Sequence, residues 1–359
     1  MGIDNFSNFI KNHAPNCYFE VSLESFRGKC LAIDINNLVF MMMSTAVKEI
    51  TDQTDLSKGK PDIGEIHRLA LDKIVGRLTL FMKYGVTPVS VFDSKPHPLK
   101  SHAKQKRKAQ NERLRAKLVE AETNLYSVDS FFRNQGLISE YNKYYKQNVE
   151  VSYEFMAQVK ELLDMIGFPT FLASDFNLIT NDAEAICALL CINNYCVATL
   201  STDSDYHAYG GNLEAIDMYP KYRVENGIRR NVHYLKIRSL EAILLQSRLP
   251  FEQFRDLCIL MGTDFNSNIR GIGPKKSWDY IMRYRSIEAL SHDIDVSILN
   301  YDNVLKIFSS SLVQVNIPQP TFNVEQFREH GRSICDLYGL RDHVSTIAES
   351  LNVEKTLTG

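Results

Sequence analysis

At 359 residues, with 44% hydrophobic and 23% charged side chains, the chain has the composition of a globular protein able to bury a sizeable core. A net charge of −2 does not by itself mark a nucleic-acid binder. Residues 1–6 lack the basic-then-apolar pattern of a secretory signal, no apolar stretch reaches the roughly 18 to 20 residues that span a bilayer, and seven irregularly spaced cysteines suit free thiols in a reducing, intracellular compartment.

In chain order, the first predicted strand covers 30–35 and carries Asp34 near its end. Helix 63–84 follows, apolar at Leu69, Leu71, Ile74, Leu78, Leu80 and Phe81. A second strand, 88–92, runs into Asp93. Residues 95–117 then hold nine Lys or Arg and one acid, Glu112, for a local charge of +8. That segment reads either as a solvated helix face or as a polyphosphate-binding surface. The stretch 100–147 is too long for an ordinary connection. Its cations interleave with Phe131, Phe132, Tyr141, Tyr144 and Tyr145, which suits single-stranded nucleic acid and also a helical hairpin with inward-packed rings. A helix over Tyr153–Ile166 is ended by Gly167 and Pro169. Strands at 169–173 and 196–201 come next, with Asp182 and Glu184 between them and Asp203 and Asp205 after the second. Asp264 closes the series behind Met261-Gly262-Thr263.

Strand–helix alternation of this kind predicts an α/β fold, a central mostly parallel sheet with helices on both faces. Carboxylates at several strand ends then converge on the carboxyl edge, where ligand sites of such sheets lie. Seven like charges need a strong counter-charge, and oxygen-ligated divalent ions supply one. The pattern is that of a metal-dependent enzyme. Asp203 and Asp205, two apart at a strand end, project to one side. Asp182 and Glu184 fit metal binding only if one lies at a helix start, and Asn181 with Glu184 is also a capping-box pattern. Cys187, Cys191 and Cys196 lack a Cys-x-x-Cys pair and read as buried thiols. His207 reads as a packing residue.

Together these blocks resemble the flap endonuclease family of structure-specific 5′ nucleases. Met1-Gly2-Ile3, Ala32-Ile33-Asp34 and Val91-Phe92-Asp93-Ser94-Lys95-Pro96 are similar to its amino-terminal block. Asp182-Ala183-Glu184 with Thr202-Asp203-Ser204-Asp205 resembles its internal block, and residues 257–265 with 269–275 its last carboxylate and helix-hairpin-helix. The resemblance implies one nuclease domain over 1–345: an amino-terminal block 1–107, a helical arch at about 100–150, an internal block at about 151–265, a helix-hairpin-helix at about 255–290 and a short tail 346–359.

It further implies hydrolysis of DNA phosphodiesters near single-strand/double-strand junctions, as a 5′-flap endonuclease with 5′→3′ exonuclease activity, in replication, repair or recombination. Asp34, Asp93, Asp182, Glu184, Asp203, Asp205 and Asp264 would hold two Mg²⁺ ions about 4 Å apart, with Mn²⁺ able to substitute, activating water and stabilising charge on the phosphate. The family has Glu where this chain has Asp182, whose shorter reach would call for a bridging water. Lys100 and Arg107 match the family's catalytic basic pair, two helical turns apart, and Lys104 shares their face. Phe40 stands where the family has a base-stacking Tyr, and Gly2 would lie near the site. Gly271, Gly273, Lys275 and Lys276 match the hairpin that binds duplex backbone, with a K⁺ ion. The implied partner is branched or nicked DNA, bound by a monomer with no membrane association, in the nucleus or at a viral or cytoplasmic replication site. Residues 349–359 carry no sliding-clamp peptide. Family alternatives are a 5′→3′ exonuclease and a Holliday-junction resolvase. A non-catalytic junction-binding scaffold is the alternative of another class, although it would gain nothing from crowded carboxylates.

Overall fold

The structure, a computed structural model, describes residues 2–56, 58–129, 134–225 and 228–351. The chain forms two compact units: residues 1–35, 81–102 and 168–322 make the first, and 36–80, 103–167 and 323–359 the second.

The first unit is built on a seven-stranded sheet in the order β1-β7-β6-β5-β2-β3-β4. Its strands are β1 Tyr18–Ser22, β2 Cys30–Asp34, β3 Thr87–Phe92, β4 Thr170–Leu172, β5 Thr199–Leu200, β6 Leu213–Glu225 and β7 Ile228–Ser239. Pairings from β6 across to β4 are parallel, while β6–β7 and β7–β1 are antiparallel. All five residues of β2 are buried, which is why this strand reads as an unbroken apolar run rather than an alternating one. Parallel β2 and β3 end side by side, Asp34 opposite Val91, so Asp34 and Asp93 emerge at the same sheet edge. The helix Ala183–Ile192 is apolar almost all round and packs on β2, β3 and β5, as a helix with no solvated face must.

The predicted strands at 30–35, 88–92, 169–173 and 196–201 fall on β2 to β5, the last shrunk to two residues. Strands β1, β6 and β7 were not among the sequence expectations. The signal was present: Asn226-Gly227 between two β-rich runs is a strong hairpin mark.

The second unit is helical. Helix Tyr153–Ile166 keeps its predicted bounds, its Ser152 hydroxyl accepting from the Phe155 amide at 3.1 Å and Gly167 closing it in the left-handed region. Helices Ser101–Tyr126 and Gln135–Gln147 occupy the long insertion. Only Ala121 and Leu125 are buried on the first, and both pack with Leu56 and Tyr141 in a small separate core. Lys60 pairs there with Glu122, and Lys146 with Asp52. Tyr141 is fully buried, with the rings of Tyr126 and Tyr145 at 5.8 and 5.6 Å, so for this ring the inward-packing alternative applies. The Lys117 and Lys143 ammonium groups lie over Tyr144. Phe131 and Phe132 lie outside the described residues. No described helix is long and apolar enough to cross a membrane.

Candidate active site

All seven predicted acids belong to the first unit, and the sheet edge explains their meeting. Asp34 terminates β2 and accepts from Ser201 Oγ at 3.1 Å. Asp93 follows β3, and its Oδ1 accepts from the Ala183 amide at 2.7 Å, so a carboxylate from one strand caps the helix Ala183–Ile192. Asp182 is that helix's N-cap residue, yet its side chain makes no capping bond. Its Oδ1 instead lies 2.8 Å from Lys100 Nζ, and its Oδ2 accepts from Thr180 and, at 3.4 Å, from Tyr209. The Asn181 side chain donates to the Lys95 carbonyl. Oxygens of Asp93, Asp182 and Glu184 all lie within 4.8 Å of one another.

Asp203 and Asp205 follow β5 around a tight turn, held by the Asp203 amide on Ser201 Oγ and the Asp205 amide on Asp203 Oδ1. Asp264 follows Gly262, whose φ of 97° ends the helix Phe251–Met261. Residues 2–4 close the arrangement. The Ile3 amide donates to Ser204 Oγ and the Asp4 amide to the Gly262 carbonyl, each at 2.9 Å. At Gly2 (φ 87°) a Cβ would fall 2.1 Å from Asp203 Oδ1, so only glycine passes there.

Electrostatically the seven form one network, and burial is the dominant effect. It pushes the carboxyls of Glu184 and Asp205 well above their ordinary range and raises Asp203. Asp93 opens to solvent on one side but is crowded by protein on the others, and its carboxyl is pushed up to about 6. Neighbouring acids add to this: Asp203 and Asp264 act on Asp205, and Asp203, Asp34 and Asp93 on Glu184. Lys100 opposes it. Burial alone would lower its pKa, but Glu184, Asp182 and Asp205 outweigh that and hold the ammonium charged.

Among the described residues Lys100 is the cation ion-paired within the seven acids, which leaves the cluster short of positive charge, and Asp205 Oδ1, buried, has no hydrogen-bond partner among them. An unsatisfied buried carboxylate oxygen is expensive, whereas a set of oxygen donors this dense fits hard divalent ions. The residues present fit such ions.

Of the other expected site residues, Gly2 lies against Asp203, and the rest belong to other elements. Phe40 is half exposed on the helix Ile35–Gln53, and Lys104 and Arg107 are exposed on Ser101–Tyr126; all three belong to the second unit. Gly271, Gly273, Lys275 and Lys276 form the turn into the helix Pro274–Tyr284. A Cβ at either glycine would meet nothing within 4 Å, and Lys276 Nζ donates to the Gly271 carbonyl at 3.0 Å. His207 is fully buried between the Gly211 carbonyl and Glu214, with Arg238 beside both. The supporting groups Thr180, Ser201, Tyr209 and Phe265 were missed, for each depends on tertiary contacts that local spacing does not report.

Residues 1–114 match the XPG N-terminal domain and residues 180–264 the XPG I-region, together more than half the chain. Flap endonuclease 1 of Theileria parva is 30% identical over 295 residues, covering 81% of this chain and 52% of that protein. Flap endonuclease 1 of Heterostelium pallidum is 29% identical, covering 82% and 68%. The aligned chain thus spans about half the length of the Theileria relative. Among solved structures, the catalytic core of Rad2 in complex with DNA substrate superimposes with a TM-score of 0.58 at 18% identity, covering 96% of this chain and 98% of that one. Flap endonuclease-1 from Methanococcus jannaschii gives 0.57 at 17%, covering 94% and 97%. At these identities the structural likeness is one of fold.

Proposed function

The chain belongs to the flap endonuclease/XPG family of nucleases, and from that premise we propose that it hydrolyses DNA phosphodiesters beside single-strand/double-strand junctions, with 5′-flap cleavage as its main reaction. The observation that carries the reading is the network of seven interacting carboxylates, Asp34, Asp182, Asp203 and Asp205 of them buried, with Lys100 ion-paired to Asp182 inside it. Asp34, Asp93, Asp182, Glu184, Asp203, Asp205 and Asp264 would hold two divalent ions, Mg²⁺ or Mn²⁺. When bound, such ions lower the pKa of water and neutralise charge developing on phosphate oxygens.

The chain's own groups have separable tasks. Lys100 presents its ammonium at the cluster, ready to exchange Asp182 for a non-bridging oxygen of the scissile phosphate. Asp93 orients the helix carrying Glu184 through the Ala183 amide. Ser201 and Thr180 fix the rotamers of Asp34 and Asp182. Hydrolysis breaks the phosphorus–O3′ bond, water supplying oxygen to phosphorus and a proton to the departing 3′ oxygen. Products are a 5′-phosphate and a 3′-hydroxyl. Arg107 and Lys104 would draw the strand in, Phe40 would stack on a base, Gly2 leaves the approach to Asp203 clear, and the turn at Gly271–Gly273 with Lys275 and Lys276 would meet duplex backbone.

The test is cleavage of labelled 5′ flap, 3′ flap, nicked duplex, single strand and four-way junction, with Mg²⁺ and with EDTA, by the parent and Asp203→Ala. Metal-dependent cutting at the base of the 5′ flap, lost on substitution by at least about 100-fold, is expected. Stepwise digestion from nicks would make the protein an exonuclease, and paired symmetric junction cuts a resolvase. Tight junction binding without cleavage by either protein would leave only a scaffold.

A further inference from the structure

Lys100 has two partners of different kinds. Its Nζ lies 2.8 Å from Asp182 Oδ1 and 4.9 Å from the centroid of the Phe265 ring. Phe265 directly follows Asp264 and is buried. Phe308, on the helix Tyr301–Ser309, meets its ring edge-on at 5.6 Å, and His97 does so at 6.2 Å. Phe308 in turn meets Tyr209 at 4.9 Å, and the Tyr209 hydroxyl donates to Asp182 Oδ2 at 3.4 Å. The contacts close on themselves: Lys100, Phe265, Phe308, Tyr209, Asp182 and back to Lys100.

A carboxylate and an aromatic face hold an ammonium in different ways. Asp182 takes one of its three donors and competes with any phosphate for it. The ring attracts the charge through its quadrupole and takes no strong hydrogen bond. A ring beneath the ammonium therefore keeps it in place while its donors change partner. We propose that Phe265 is a positioning residue: its ring seats the Lys100 ammonium at the mouth of the acidic cluster while the donors pass from Asp182 to the scissile phosphate. This inference rests on the reading of Lys100 as the phosphate-binding cation.

The variants are Phe265→Leu, Phe265→Tyr, Lys100→Ala, the double Lys100→Ala/Phe265→Leu, and replacement of Phe265 by pentafluorophenylalanine, which keeps ring shape but reverses the quadrupole. Four readouts are needed: single-turnover cleavage of a 5′ flap, affinity for the same DNA in EDTA, melting temperature, and the Lys100 Hε resonance in ¹³C-lysine protein, assigned with Lys100→Arg. The parent resonance should lie upfield through the ring current and lose that displacement in Phe265→Leu. Phe265→Leu and the fluorinated form should slow cleavage about 5- to 30-fold, with affinity within about 2-fold. Phe265→Tyr should keep the parent rate. In the Lys100→Ala background, Phe265→Leu should add no further loss. Parent rates in the fluorinated form, losses that multiply in the double variant, or an unmoved Lys100 resonance would each overturn the proposal. If the parent cuts no DNA, the reading of function fails, and the resonance alone then decides whether the seat exists.

Discussion

Among single residues, the placement of most of the acids was legible because Asp34 ends a strand, Asp93 follows one, and Glu184 and Asp205 lie in the first turn of helices, whereas Asp264 follows a helix end. Their environment was not legible, and it has consequences for stability. Asp205 is buried with Oδ1 unpartnered and neighbouring acids close by. Its native pKa lies above the unfolded one, so the native penalty is absent below the unfolded pKa and grows as pH rises. At pH 8 in EDTA, Asp205→Asn should therefore raise the melting temperature by about 2–6 °C while abolishing cleavage. An unchanged or lower melting temperature in EDTA would remove the claim that charge crowding destabilises the metal-free protein. Asp256 offers a cleaner titration. It accepts from the Ile287 amide and the Tyr301 hydroxyl, with Glu288 and Arg255 nearby, and burial pushes its carboxyl up to about 6. Because the folded value is raised, the native state holds the proton more tightly, and this stability is lost as pH climbs through about 6. Asp256→Asn cannot lose a proton. The difference in melting temperature, variant minus parent, should rise between pH 4 and 6 and level off above. A flat difference across that window would contradict the raised value.

At the scale of elements, the buried strands β2 and β3 announced themselves, and the short β4 and β5 were also read, whereas β1 and the long pair β6–β7 were not. The distal halves of β6 and β7, with Lys221, Tyr222, Arg223 and Arg229, are exposed and charged or aromatic, and they break up the buried apolar positions such as Ala215, Val232, Leu235 and Ile237. The insertion behaved in the opposite way. Its helices were legible from charge and length, but the small core around Tyr141 joins residues 56, 121, 125 and 141, which no local period connects. That core predicts a local opening. Tyr141→Ala should cost the helix pair about 3–5 kcal/mol, and limited trypsin digestion should then cut within residues 101–147 far sooner than in the parent, leaving the first unit intact. Equal cutting times would mean that the pair is held by something other than this cluster.

For the whole molecule, net charge conceals the arrangement of charge. Nine cations at 95–117, Lys100 of the acidic cluster among them, coexist with seven clustered acids in a chain of net −2. DNA affinity should consequently fall steeply with salt, and Lys104→Gln or Arg113→Gln should each reduce the slope of log K against log salt by about 1, uniformly across flap, nick and duplex. A slope unaffected by either substitution would take this segment out of the binding surface. The division into two units was not legible at all. Its boundaries at 35/36, 80/81 and 102/103 fall inside continuous helices, where no Pro- or Gly-rich linker marks them.

The contacts of residues 2–4 also bear on when the acidic cluster is assembled. The Ile3 amide bonds to Ser204, 201 positions later in the chain, and the Asp4 amide to Gly262, later still. A ribosome delivers the first partner long before the second and third exist. Gly2 gains the turn it lies against only with residues 203–205, and the contact of Asp4 with Gly262, beside Asp264, only some sixty residues later. The complete set of acids therefore comes together late in synthesis, because its last contacts with residues 2–4 are made by the segment around residue 262.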